Sequence, residues 1–172
     1  TGLEISTDES SALVLGRQQL ADRASLVCVD IARGRLNWSD DGRGLVGGRL
    51  RRGSKAKIDV IQPGDGVVYT VRRRSLQVNE VWCQDLATGR RRWIWDAPRG
   101  QGPKALIETP GLLLVPYGGR LTGCSLSVLA RGAGKTLDTL KFPGRRIVDA
   151  RTVAGAVVVL SDHGQFAFGH LD

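Results

Sequence analysis

Two stretches of this chain share one skeleton, and that repetition limits the fold more than any bulk property does. Asp30, Gly34 and Trp38 are spaced four and four residues apart. Asp85, Gly89 and Trp93 repeat that spacing, with Thr88 before the second glycine where Arg33 precedes the first. A recurring turn with a recurring anchor marks a repeat architecture. Each component has a physical role. A short apolar strand, Leu26-Val27-Cys28-Val29 in the first copy, leads into an Asp whose carboxylate can accept hydrogen bonds from the turn's own N–H groups. Gly supplies the positive φ of a tight hairpin, and the returning strand delivers an indole large enough to wedge between neighbouring units.

Four continuous apolar runs punctuate the chain: Ala12 to Leu15, Gly66 to Val71, Leu112 to Val115 and Ala156 to Leu160. They are too short for helices and rich in Val and Leu, which predicts strands covered on both faces. The runs start at residues 12, 66, 112 and 156, a period of roughly 44 to 54 residues that suits the blade of a propeller. Turn residues precede each run, as in Pro63-Gly64-Asp65 and Thr109-Pro110-Gly111. Shorter strand candidates precede the turns: Leu3 to Ile5, Ile58 to Ile61, Ala105 to Ile107 and Ile147 to Ala150.

This pattern resembles the pyrroloquinoline-quinone-like repeat of seven- and eight-bladed β-propellers, in which an apolar strand is followed by Asp-x-x-Thr-Gly-x-x-x-Trp. Asp85, Thr88, Gly89 and Trp93 match every motif residue after the strand. The resemblance implies an all-β portion of about four four-stranded antiparallel blades, at 1–42, 56–98, 104–142 and 146–172, with a basic Gly/Arg-rich linker at 43–55. The third copy is worn, with neither Asp nor Trp at the motif positions, and the fourth ends before its hairpin. A chain that begins with Thr and stops there is expected to be the C-terminal portion of a larger propeller. The strand completing its last blade would come from the remaining blades or another copy; an unusual four-bladed ring is the alternative. The resemblance also leans the chain toward an extracytoplasmic or periplasmic setting.

The sequence of 172 residues carries a formal charge of +8. This permits an anionic partner, although Arg-rich composition alone produces such a balance. No apolar run approaches the ~20 residues of a membrane helix, so no membrane insertion is expected. Three cysteines without a Cys-x-x-Cys signal neither zinc nor redox chemistry. Cys28 and Cys83 occupy the same repeat position, two residues before Asp, and read as small core residues.

Catalytic signatures are weak. Gly132-Ala133-Gly134-Lys135-Thr136 imitates the end of a phosphate-binding loop, but Leu129 stands where its first Gly belongs, and the repeat register makes it a hairpin turn. His163 and His170 read as solvated turn residues. Catalytic quinoproteins of the resembled family use calcium-binding carboxylates and an adjacent cysteine pair; this chain has no adjacent cysteines, so no cofactor is expected. In an antiparallel blade, the loop between strands two and three shares an end with the link to the next blade. Sorting charges this way gathers Arg49, Arg51, Arg52, Lys55, Lys57, Arg72, Arg73, Arg74, Arg120, Arg145 and Arg146 on one face, a candidate receiver for an acidic protein surface. Nucleic acid is disfavoured because those loops lack the interleaved aromatics that stack bases. The expectation is a non-catalytic scaffold for protein–protein interaction or assembly. Its rivals are a cofactor- or small-ligand-binding domain of a quinoprotein-like oxidoreductase and the sensor domain of a signalling protein.

Overall fold

The computed structural model describes residues 5–7, 11–18, 23–40, 45–46, 49–50, 57–119, 123–154 and 156–170, and every regular element among them is a β-strand. The first sheet holds β1 (Ile5–Thr7), β2 (Ser11–Gln18), β3 (Arg23–Asp30) and β4 (Arg35–Asp40). A small ladder, β5 (Leu45–Val46) with β6 (Arg49–Leu50), follows. The second sheet is β7 (Lys57–Gly64), β8 (Val67–Arg73), β9 (Asn79–Asp85) and β10 (Arg91–Asp96). The third is β11 (Gly102–Pro103), β12 (Ile107–Thr109), β13 (Leu112–Gly119), β14 (Gly123–Ala130) and β15 (Thr136–Phe142). The fourth is β16 (Ile147–Val153), β17 (Ala156–Ser161) and β18 (Gly164–His170). Each sheet is an antiparallel meander with its strands in sequence order, except that β11 and β12 both pair with β13, and the successive sheets are blades of a β-propeller fold, the fourth holding three strands among the described residues.

The sheets stack through three apolar cores. Leu26, Cys28, Trp38, Ile58, Val68 and Leu86 join the first sheet to the second. Tyr69, Cys83, Trp93, Leu113 and Leu129 belong to the core between the second and third, and Leu114, Leu126, Phe142, Val157 and Val159 to that between the third and fourth. A strand buried on both faces explains why β8 reads as a nearly continuous apolar run: Val68 faces one neighbour while Val67, Tyr69 and Val71 face the other. All three cysteines are buried, and none of them forms a disulfide among the described residues.

The repeated motif works as a lock between successive sheets. Gly89 (φ 69°) and Gly134 (φ 65°) adopt the left-handed conformation. A Cβ on Gly89 would lie 2.6 Å from the Trp38 ring, and one on Gly134 2.5 Å from the Trp93 ring. Each indole therefore lies flat on the bare glycine of the next sheet's hairpin. Each also donates its N–H to a carbonyl of that hairpin, Trp38 Nε1 to Leu86 O at 2.7 Å and Trp93 Nε1 to Arg131 O at 2.9 Å. The third copy retains the receiving half of this lock. Its turn closes with Gly134 N donating to Ala130 O at 2.8 Å, and the phosphate-loop imitation at 132–136 forms part of this hairpin. Asp138 stands at its tryptophan position. Phe142, packed 5.1 Å and 5.5 Å from the Phe166 and Phe168 ring centroids, supplies the aromatic contact to the fourth sheet.

Two details depart from the sequence reading. The 43–55 linker carries a two-stranded ladder, and the first strand of the third blade, expected at Ala105 to Ile107, is split into β11 and β12. Pro116 explains the split. It lies in β13 between the residues paired with β11 and those paired with β12, and its carbonyl accepts from Lys104 N at 3.1 Å. It has no N–H to return on that side, so the ladder lapses.

Candidate functional site

The antiparallel order brings the β8–β9 connection and the links between sheets to one end. Arg99 Nε donates to Gln77 Oε1 at 2.8 Å, and Gly100 N to Gln77 O at 3.0 Å. In the fourth sheet, Asp162 Oδ1, in the β17–β18 turn, accepts from Arg145 N at 2.8 Å and Arg146 N at 3.1 Å. Those backbone donors hold the Asp162 carboxyl below its usual pKa.

The sequence-predicted basic residues separate into groups at this end. Arg145 and Arg146 are exposed. Arg73 spans Asp59, Nε to Oδ2 at 3.1 Å and Nη2 to Oδ1 at 3.3 Å, with Lys57 on the same carboxylate at 3.5 Å. Arg74 pairs with Glu80 at 2.9 Å. Arg49 falls in β6, while Arg51, Arg52, Lys55 and Arg120 lie outside the described residues. Beside the paired arginines, Leu76 is 88% exposed at the tip of the loop and Val78 is also exposed.

Arg72 requires a correction, because it is not on the loop face at all. The β8–β9 ladder continues through the Arg72–Glu80 and Arg73–Asn79 pairs, so Arg72 belongs to the strand and is 0% exposed. Its Nη2 donates to Asp40 Oδ2 at 2.6 Å and Gln84 Oε1 at 2.8 Å, and its Nε to Thr70 Oγ1 at 3.0 Å. The guanidinium lies 4.0 Å from the Trp82 ring centroid, with Arg91 5.1 Å from it. Trp82 Nε1 in turn donates to Glu80 Oε2 at 2.8 Å. This is a buried polar seam between the first two sheets, and such a pair is held by its partners because an unpaired buried charge is costly. Sequence reasoning passed over it because three consecutive arginines look like a solvated loop. The signal was the period of two, which puts Thr70 and Arg72 on the face opposite Tyr69 and Val71.

A recess lies where the edge strands β7, β12 and β16 converge. It has a volume of ≈ 650 Å³ and is lined by Gln62, Ile107, Thr109 and Thr152 among others. Arg131 crosses its mouth, with Nε 2.8 Å from Glu108 Oε1 and Nη2 donating to Asp65 O at 3.2 Å. Burial, with Glu108 nearby, pushes the Tyr69 hydroxyl up to about 12, and burial pushes the Cys83 thiol up to about 11. A thiol so placed is inert at neutral pH. The charges at this recess pair with each other. Among the described residues no group of three or more His, Cys, Asp or Glu could hold a metal ion, and no helix is long and apolar enough to cross a membrane. His163 is exposed in the β17–β18 turn.

No protein-family model matches the chain, and no curated protein sequence matches it. Solved structures do. The computationally designed Ika4 protein superposes with a TM-score of 0.69 at 14% identity, over 96% of this chain and 89% of that one. BamB from Moraxella catarrhalis superposes with a TM-score of 0.59 at 15% identity, over 95% of this chain and 45% of that one. A europium-containing methanol dehydrogenase gives 0.57 at 12% identity, over 80% and 24%. The chain thus spans most of one neighbour and less than half of the other two. At such identities the likeness defines the β-propeller fold and nothing finer.

Proposed function

We propose that the chain is a non-catalytic propeller module that engages a protein partner through the end carrying the β8–β9 loop. The observation that carries this reading is Leu76, 88% exposed on a loop whose neighbours are fixed in place. Ser75 Oγ accepts from Gln77 N at 3.2 Å and Val78 N at 3.1 Å, Arg74 is tied to Glu80 and Arg99 to Gln77. An apolar anchor beside preorganised guanidinium groups needs little further ordering to bind. The surplus positive charge, with Arg145 and Arg146 exposed at the same end, suits a partner with an acidic rim. An extracytoplasmic setting, suggested by the repeat resemblance, is part of this proposal.

A photo-crosslinking residue at position 76, compared with one at Gly132 in the opposite set of turns, tests it in the source cells. Adducts with another protein from position 76 alone, weakened by Arg145→Glu with Arg146→Glu, are expected. Equal adducts from both ends, or none, would overturn it. Retention of a quinone with its characteristic absorbance after purification would favour the oxidoreductase reading instead.

A further inference from the structure

Among the described residues the lock between sheets has three receiving turns and two indoles seated on them. Gly89 carries Trp38 and Gly134 carries Trp93. The equivalent glycine of the first sheet, Gly34, is likewise left-handed with a φ of 59°, yet none of the described residues lies within 4 Å of where its Cβ would be. Its aspartate grips the turn as the second one does. Asp30 Oδ1 accepts from Arg33 N at 2.9 Å, as Asp85 Oδ1 accepts from Thr88 N at 3.0 Å.

The surroundings of Gly34 are bare in the same way. Leu86, one residue after Asp85, is 9% exposed beneath Trp38; Ile31, one residue after Asp30, is 49% exposed. Val27 and Val29 are half-buried on a face where their second-sheet equivalents, Trp82 and Gln84, are buried against the first sheet. Leu36, the cross-strand partner of Val29, is exposed. Backbone, turn and apolar surround are those of an indole platform, and both occupied copies show what such a platform receives.

We infer that the face formed by Ile31, Gly34 and Leu36 is a docking site for a tryptophan presented by the outer β-strand of another propeller repeat, contributed by polypeptide other than these 172 residues. A second copy of this chain does not fit as donor. The sequence holds four tryptophans, Trp38, Trp82, Trp93 and Trp95, and all four are buried within the chain. The docked indole would lie on Gly34 and donate its N–H to the carbonyl of Ile31, the position of Leu86 O and Arg131 O. This surface is distinct from the Leu76 end, so either can fail alone.

The test places a benzoylphenylalanine at position 36 of the chain in its source cells and sequences the photo-adducts. The expected adduct lies on a peptide foreign to this chain, with Trp four residues after Gly and Gly four after Asp. The variant Gly34→Asn keeps the left-handed turn, which Asn tolerates, and puts a side chain where the indole would lie. It is expected to cut the adduct yield about tenfold, a change of roughly 1.4 kcal/mol in binding, without lowering the melting temperature. An adduct to this chain's own residues, an adduct to a protein lacking such a strand, no adduct, or indifference to Gly34→Asn would each overturn the inference. Crosslinks from position 76 report separately on the other surface.

Discussion

At the scale of single residues, the turn aspartates show how one carboxylate holds a hairpin. Asp85 is drawn below its ordinary pKa, first by the side-chain hydrogen bond from Arg92 at 2.6 Å and then by that of Thr88 at 2.9 Å. Asp30 is lowered chiefly by the Arg33 backbone N–H. A carboxyl with a depressed folded-state pKa contributes stability that is fully present above its unfolded value of about 3.9. That contribution is lost as pH falls through the lower folded value. Urea midpoints measured from pH 5 down to pH 2 should therefore fall for the native chain. In Asp85→Asn the starting value at pH 5 should be lower and the fall shallower; an unchanged acid slope would show that the turn does not use the charge. The spacing of Asp85, Gly89 and Trp93 made this chemistry legible in the sequence, because the whole motif lies within one hairpin. The Arg72 seam was not legible by the same means, since Asp40 reaches it from a different sheet, 32 residues earlier.

At the scale of elements, the bare glycines separate backbone strain from packing. Gly66 and Gly134 share a φ of 65°, but the first has open space where its Cβ would be and the second has the Trp93 ring at 2.5 Å. Gly66→Ala meets only the left-handed penalty of roughly 1–2 kcal/mol. Gly134→Ala adds the displacement of an indole, on the order of 1–3 kcal/mol more. Equilibrium urea unfolding of the two variants should thus differ by at least ~1 kcal/mol; equal losses would mean that the indole does not lie on the glycine. Runs such as Val67–Val71 and Leu112–Val115 exposed the sheet centres in the sequence because double burial leaves no alternation to misread. The edges were harder. What Pro116 does to the ladder depends on which side of β13 its missing N–H falls, and β5 and β6 are too short to carry a periodic signal.

At the scale of the whole molecule, the array is quasi-one-dimensional, and its stability is distributed among interfaces rather than held in one centre. Among the described residues the middle interface is the most richly built. It contains Trp93 and Trp95 with their tilted contacts to Tyr69 and Tyr117, both at 5.9 Å, and two indole hydrogen bonds, to Arg131 O and Thr136 Oγ1. The outer interfaces each lack one of these resources. That between the first and second sheets has one apolar-core indole and the Arg72–Asp40 pair, and that between the third and fourth replaces indoles with Phe142. The second and third sheets should therefore unfold as one unit and the outer sheets open first. Hydrogen exchange should find the most protected amides in β8, β9, β13 and β14. Trp93→Ala, losing about 3–5 kcal/mol of packing, should speed exchange in all four of those strands. Trp38→Ala should speed it in β3 and β4 and leave β13 and β14 slow, because the indole it removes joins only the first sheet to the second. If both variants accelerated every strand alike, the sheets would open as a single cooperative unit and their stability would not be divided among separate interfaces.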